Sequence, residues 1–451
     1  MKRRWSLVPT LVLIASFVAA GCTTSESPGP DDPTDDAAVR LSFGVFGTPD
    51  EIAGYQAMVD AYNAKAMSTR VDLVSWSDNE AMMGDIDAGT DSPDLFMVAR
   101  ADLAHVVETG QNTPLYDLLE ARNISYGDGF SFDAVEAFSA DNDLQCMPYS
   151  VSPMVIYYNK DLIDFEKMRE RGLPAPVDEL EGWNFEEFRA AAAFATRKRA
   201  GTRGVSIEPS LRSLAPFLLS GGGAVFNDNA NPTSLAFSDG GNVGTLITAL
   251  ELLRDPQLTL GSDQLAEAPS TEWFEDDKLG MIEGFRSLTP ELRSVPGLRF
   301  DVMPMPRIDD DATVGDITGL CITPNDNVQN AADFLVHAIS DEGFAPVTEA
   351  GYVVPANLTV ARSDIFLQPA LQPANAGVFN ASVDNMKLLP LLDNYDELNA
   401  AVAPLLEELL NTPLIDLDEL TAQIDNASRS VLDPDYVPEP DPSSDSTESS
   451  G

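Results

Sequence analysis

The residues able to do chemistry are unevenly supplied along the chain. Among 451 residues there are two histidines, His105 and His337, and three cysteines, Cys22, Cys146 and Cys321. No CxxC or HxxxH pattern brings any of them to metal-ligand spacing. A metal centre or a Cys/His nucleophile is left without donors, so neither a metal nor a cofactor is expected. Carboxylates are abundant, with 73 Asp and Glu against 27 Lys and Arg. At that density pairs of acids arise by chance and do not by themselves mark acid–base catalysis. Gly221-Gly222-Gly223 lacks the Lys-Ser/Thr that completes a phosphate loop, and reads as a helix C-terminal turn. What remains suits binding rather than catalysis, namely aromatic faces and polar forks. Phe46, Thr48, Trp76, Asn79, Arg100 and Asp102 come early. Tyr149 and Ser152 stand midway, and Arg212, Phe285, Arg286 and Tyr395 follow. Core packing is the alternative for each aromatic, and a surface ion pair for each arginine.

The elements around the early group give it a place. Val39–Phe46 alternates and is rich in β-formers, so it reads as a strand. Gly47-Thr48-Pro49-Asp50 can cap a helix, and Ile52, Tyr55, Met58, Val59 and Tyr62 then recur at helical spacing. Arg70–Trp76 is a second strand, Ala81–Ala88 a short helix, and Pro93–Val98 a third strand. This alternation argues for a parallel sheet covered by helices. Ligands of such sheets sit at the carboxyl ends of the strands, here near Phe46–Asp50, Trp76–Asn79 and Ala99–Asp102. Downstream, Leu144–Ile163 (LQCMPYSVSPMVIYYNKDLI) is apolar, β-branched and aromatic, broken at Pro148 and Pro153. It reads as two short buried strands in series with a kinked crossing between them.

That stretch resembles the hinge crossing of extracellular solute-binding proteins of the carbohydrate-uptake type, family 1, the group that includes maltose-binding protein. Pro148-Tyr149-Ser150 and Tyr157-Tyr158-Asn159-Lys160-Asp161-Leu162 match its "PY…YYNKDL" run. Collinear, looser matches extend the resemblance over roughly Leu41 to Leu432. They are the PDLF strand at Pro93, Trp183–Phe188, Lys278–Arg286 and Phe300–Pro306, with a second crossing at Val314–Ile322. The resemblance implies an α/β, two-lobe periplasmic-binding-protein-like fold of type II. Each lobe would be a mainly parallel sheet flanked by helices, the lobes joined by crossing hinge segments. One lobe would take residues 39–150 and 315–375, the other 151–314 and 376–432. It also implies that the binding group lines the cleft between the lobes. There the family sets aromatic faces against sugar rings and polar forks against hydroxyls.

Two departures bear on the ligand. Ser152 stands where the family's sugar binders often carry an acid, and Phe285-Arg286 where they often carry Trp. Arg100, Arg212 and Arg286 fall on expected cleft loops. An acidic solute, such as a uronic acid or a sugar phosphate, is therefore an alternative to a neutral sugar or oligosaccharide. In the family's topology the strands bearing Cys146 and Cys321 are antiparallel neighbours. If Val151 faces Asp316, the constant index sum of an antiparallel ladder places Cys146 opposite Cys321, and a disulfide is expected. Free buried thiols are the alternative.

The ends carry signals of their own. Lys2-Arg3-Arg4, the apolar Leu7–Val18 and Ala19-Ala20-Gly21-Cys22 read as a lipoprotein signal peptide over residues 1–21, with Cys22 as the lipidated first residue. An ordinary secretory peptide is the alternative. Arg3-Arg4 also admits twin-arginine export, although Ser6 departs from that pattern. Residues 22–38 and 433–451 are rich in Pro, Ser, Thr and Asp and read as a disordered tether and an acidic tail. Without residues 1–21 the chain holds 24 basic and 73 acidic residues, a net charge of −49. That excludes nucleic acid and an anionic membrane surface as partners. The resemblance implies a non-enzymatic receptor anchored by its N-terminal lipid at the outer face of the cytoplasmic membrane. It would capture a small solute, a carbohydrate, by hinge closure and hand it to the transmembrane subunits of an ABC permease. An exported glycoside-acting lipoprotein enzyme is the competing reading. It would need two carboxylates facing across a cleft, for which no motif stands in the chain. A third is a structural or adhesion lipoprotein whose cleft has degenerated.

Overall fold

The computed structural model describes residues 38–437 except 91, 128, 141, 178–181 and 393. The proposed leader, Cys22 and the tether up to residue 37 lie outside these residues, as does the tail from residue 438. Among the described residues no helix is long and apolar enough to cross a membrane.

Two sheets organise the chain. Their strands are β1 (Val39–Phe46), β2 (Thr69–Trp76), β3 (Leu95–Ala99), β4 (Met147–Pro153), β5 (Val155–Asn159), β6 (Arg203–Ser206), β7 (Leu279–Gly284), β8 (Phe300–Met303), β9 (Thr313–Ile322) and β10 (Met386–Lys387). The first sheet runs β10-β9-β3-β1-β2, with β4 also paired to β9, and the second runs β8-β5-β7-β6. Parallel pairing joins β1 to β2 and β3, β9 to β10, and β6 to β7. Every antiparallel pairing in these two sheets involves β5 or β9, the strands that carry the chain across between sheets. A strand that returns from the other sheet arrives running the opposite way. That is why the second sheet, built around β5, has two antiparallel pairings against one parallel.

Residue pattern explains the layers. On β1, Leu41, Phe43 and Val45 are buried at alternate positions, while helix α1 (Pro49–Lys65) turns Tyr55, Met58 and Val59 toward the same core. Thr48 caps α1, its hydroxyl accepting from the Glu51 amide, and Pro49 occupies the first turn where no amide partner is needed. β5 is buried on both faces. Ile156 and Tyr158 join one cluster, with α2 (Phe185–Ala195), α3 (Leu211–Ser220), α4 (Gly240–Leu253), α5 (Tyr395–Asn411) and α6 (Leu417–Leu432). Val155 and Tyr157 join another, with Phe300, Val354, Phe366 and Phe379. Helices on both faces make such a strand a continuous apolar run rather than an alternating one.

α6 is fastened by polar groups as well as by packing. The Asp425 carboxylate accepts from the Phe237 and Ser238 amides at 2.8 Å each and from the Ser238 hydroxyl at 2.6 Å. The Ser428 hydroxyl accepts from the Leu235 amide at 2.8 Å. Burial nevertheless holds the Asp425 carboxyl above its usual range, against the pull of those three bonds.

The β4–β9 ladder corrects one premise and explains why its conclusion survives. Val151 pairs with Ile317 rather than Asp316, which faces Ser152. A bulge then shifts the register between Thr318 and Gly319, so that Gly319 faces Pro148 and Leu320 faces Met147. The extra residue on the β4 side is Tyr149, whose carbonyl turns away from β9 and accepts from the Ala356 amide at 2.8 Å. One step further along the shifted register, Cys146 and Cys321 are opposed with Cα atoms 4.5 Å apart and are joined by a disulfide.

Candidate functional site

Several of the binding candidates converge on one cavity of about 230 Å³. Arg100 enters from the loop after β3, and Arg212 from the first turn of α3. Gly315 and Asp316 come from β9, Leu389–Leu392 from the segment after β10, and Tyr395 from the start of α5. Each lies where an element ends or crosses, so its side chain is free to face the cavity while the element behind it is held by the cores. The walls therefore come from the first sheet's side, from the crossing strand β9, and from helices α3 and α5 that pack against the second sheet.

The charges are arranged around Asp316. It takes an ion pair from Arg212, whose guanidinium also lies 4.3 Å from the centre of the Phe285 ring. Arg100 donates from Nη2 to the Leu389 carbonyl at 2.6 Å, and its buried Nε has no partner. Burial holds the Arg100 guanidinium below its ordinary pKa, with Asp316 pulling the other way. Burial likewise raises the Tyr395 phenol. Beside Arg212, at the end of β7, the Glu283 carboxyl is pushed up to about 8 by burial, offset in part by Ser213 and the Glu208 amide. Its Oε1 accepts from that amide at 3.3 Å, while its buried Oε2 has no partner. A carboxyl held neutral at pH 7 can donate a hydrogen bond as well as accept one.

The carboxyl ends of β1–β3 hold a second group. Phe46 and Trp76 are register partners, and the Trp76 indole donates to Asp85 at 2.8 Å. The Asn79 amide donates to Asp102 at 2.7 Å, fixing the loop that carries Arg100. The Glu51 carboxyl is raised to about 7 by burial, against a hydrogen bond from the Thr48 backbone.

Two candidates are instead packed in cores. Tyr149 lies on the inward face of β4 with Met147 and Val151, fully buried and stacked on Phe344 at 4.4 Å. Arg286 is fully buried between Phe366 at 4.8 Å and Phe379 at 5.3 Å, and none of its guanidinium nitrogens has a hydrogen-bond partner. Burial pushes its pKa down to about 10. Neither lines the cavity. Ser152 meets the cavity only through its strand partner Asp316. The sequence reading missed Asp316, Glu283 and Leu389–Leu392. Asp316 carried a usable signal, since it is a lone acid within the apolar crossing Val314–Ile322.

A family model described as bacterial extracellular solute-binding protein matches residues 57–373, and the chain belongs to that family. Its fold is the two-lobe, maltose-binding-protein-like fold of solved relatives. An ABC substrate-binding protein from Listeria monocytogenes, solved with cycloalternan, is 19% identical with a TM-score of 0.70, over 87% of this chain and 98% of its own. The GacH receptor of Streptomyces glaucescens, solved unliganded and with acarbose, is 18% identical with a TM-score of 0.68, over 89% and 100%. A cyclic alpha-maltosyl-1,6-maltose binding protein from Arthrobacter globiformis is 17% identical with a TM-score of 0.68, over 88% and 99%. At these identities the likeness shows the fold. No curated protein matches the chain.

Proposed function

We propose that the chain is a receptor that captures a carbohydrate in the Arg100–Arg212–Tyr395 cavity and delivers it to an ABC permease. The observation that carries the reading is the cavity's composite wall, drawn from the loop after β3, from the crossing strand β9, and from helices α3 and α5 that pack against the second sheet. A solute held there touches both lobes only when they are closed, so binding favours closure. Tyr395 and Leu389–Leu392 supply the apolar faces, and Arg100, Arg212 and Asp316 the polar groups, that a sugar needs. Solved neighbours that bind cycloalternan, acarbose and a cyclic maltosyl-maltose support the same class.

An acidic solute is the second reading, favoured by the unpartnered Nε of Arg100. Because Arg212 is already paired with Asp316, the cavity offers one uncompensated positive charge, enough for a single carboxylate. We read the protein as non-catalytic. Asp316 is the one carboxylate lining the cavity among the described residues, and glycoside hydrolysis needs two. Ala19-Ala20-Gly21-Cys22 supports a lipid anchor at the outer face of the cytoplasmic membrane.

Melting the full chain against linear and cyclic glucose oligosaccharides, neutral monosaccharides, glucuronate and glucose phosphate tests the reading. A ligand selective for the native state raises the melting temperature with concentration. A shift with an oligosaccharide and no product over days supports the receptor. Product release overturns it in favour of an enzyme, and a flat response across the panel overturns the carbohydrate assignment.

A further inference from the structure

The chain's scarce basic residues are not scattered. Residues 160–203 hold nine of its 27 lysines and arginines. Four of these, Lys160, Lys167, Arg171 and Arg197, line with Arg299 a cavity of about 670 Å³ that lies beyond the carboxyl end of β5. The crossing and the proposed sugar cavity lie at the other end of that strand, one strand length away, roughly 15 Å.

The ion pairs within the cluster do not neutralise it. Lys160 pairs with the buried Asp301 at 2.9 Å, Arg299 with Asp161 at 2.9 Å, and Lys167 with Asp164 at 2.6 Å. Arg171 and Arg197 have no carboxylate within ion-pair distance among the described residues. Arg171 instead lies 5.1 Å over the Phe194 ring, and Arg197 makes only long contacts, 3.4 and 3.3 Å, to the Asp161 and Leu162 carbonyls. Five cations against three carboxylates leave an excess of two positive charges, on a chain whose net charge is −46. With so many acids available to pair with them, two uncommitted guanidiniums facing one cavity are a site rather than a background. The lining is unsuited to a neutral sugar, because its one aromatic face, Phe194, is already covered by Arg171.

We propose that this cavity binds a free, multivalent oxyanion of the phosphate type, with pyrophosphate as the simplest member. Arg171 and Arg197 supply planar donor forks that match two oxygens of a tetrahedral oxyanion, and Lys160, Lys167 and Arg299 add positive charge around it. A soluble anion is favoured over a lipid headgroup. Away from this patch the acidic chain is repelled from an anionic membrane, whereas a small ion passes through that field to a local positive well.

The test is calorimetric titration of the full chain with sodium pyrophosphate at matched ionic strength. Parallel arms use inorganic phosphate, sulfate, and vesicles of phosphatidylglycerol. One saturable site is expected for pyrophosphate, weakened roughly tenfold or more in Arg171→Gln and in Arg197→Gln. Arg189→Gln, on α2, which breaks an exposed pair with Glu251 on α4, should bind as the parent does. Circular dichroism melting of each variant separates loss of the site from loss of the fold. Binding confined to vesicles and lost in the same variants overturns the soluble-ion assignment in favour of a membrane phosphodiester. No saturable heat with pyrophosphate in a folded protein, or equal binding in both glutamine variants, overturns the site.

Discussion

Reducing the Cys146–Cys321 bond should cost the folded protein several degrees of melting temperature without touching the cleft. The bond closes a loop between positions 175 residues apart, and on the chain-entropy account a loop of that length restricts the unfolded chain by about 5 kcal/mol. An unfolding entropy of about 2.1 cal/mol/K per residue gives close to 0.8 kcal/mol per degree for a body of about 400 residues. The expected drop is then about 6 °C. Comparing oxidised and reduced forms of the same protein cancels the packing of the two sulfurs, both of which are fully buried. The assay is scanning calorimetry of the full chain with and without reductant, with thiols counted in denaturant before and after. Affinity for a cleft ligand should be unchanged, because the bond lies some seven residues along β4 from Pro153, where the chain leaves the first sheet. Two titratable thiols in the unreduced, denatured protein would refute the bond. A melting temperature that moves by less than a degree after verified reduction would refute the reasoning about the unfolded state.

Removing Arg212 by Arg212→Ala takes away the cation over Phe285 and leaves Asp316 unpaired in the cavity wall. Affinity should fall at least tenfold by titration with the ligand found, while Arg100→Ala should weaken an acidic ligand more than a neutral one. The raised Glu283 carboxyl keeps a proton in the folded state that the unfolded chain releases. Its contribution is therefore present below about pH 4.5 and is lost as pH climbs toward about 8. Glu283→Gln should flatten the decline in melting temperature between pH 5 and 8, and an unchanged slope would show the carboxyl to be ionised. Arg286→Met keeps the bulk between Phe366 and Phe379 and removes a buried charge with no acceptor. Stability should hold or rise, and a loss of more than about 2 kcal/mol in denaturant titration would mean the guanidinium has a partner. Cys22→Ser should shift the protein from the membrane fraction to the medium, and retention of an unlipidated variant would end the anchor proposal.

The first sheet was legible because its signals are local. The alternation of Val39–Phe46, the Thr48-Pro49 cap and the Tyr55-Met58-Val59 spacing each lie within one element. Collinear motifs then placed the crossings. The candidate site was legible only in part. Arg100 and Arg212 stand at element ends, and that position could be read. Tyr149 and Arg286 differ from them only in facing. The pleat of β4 turns Tyr149 toward Phe344, a distinction set by a partner 195 positions away. The bulge at Tyr149 shows the same limit, since nothing in Met147–Pro153 announces that one residue will be left out of the ladder. Leu389–Leu392 reads as an ordinary apolar run, and becomes a cavity wall only because β10 pairs with the start of β9.

The fastening of α6 has a consequence for the order in which the chain can fold. The amides of Leu235, Phe237 and Ser238 find their acceptors on Ser428 and Asp425, nearly two hundred residues later, and the apolar cluster on that face of the second sheet is completed by Leu420, Ile424 and Leu432. Until those residues have been synthesised, the second sheet lacks one wall, and the Leu235 and Phe237 amides, which end buried, lack partners. Contacts of such sequence separation form late, because the loop must close before they can contribute. The first sheet's strands β1, β2 and β3 meet within about sixty residues, whereas β9 joins that sheet only after the whole of the second sheet's strands has been made, and β10 later still. The nascent chain is thus slow to commit to a compact state, and its own topology keeps the second sheet open until nearly the whole chain has been made.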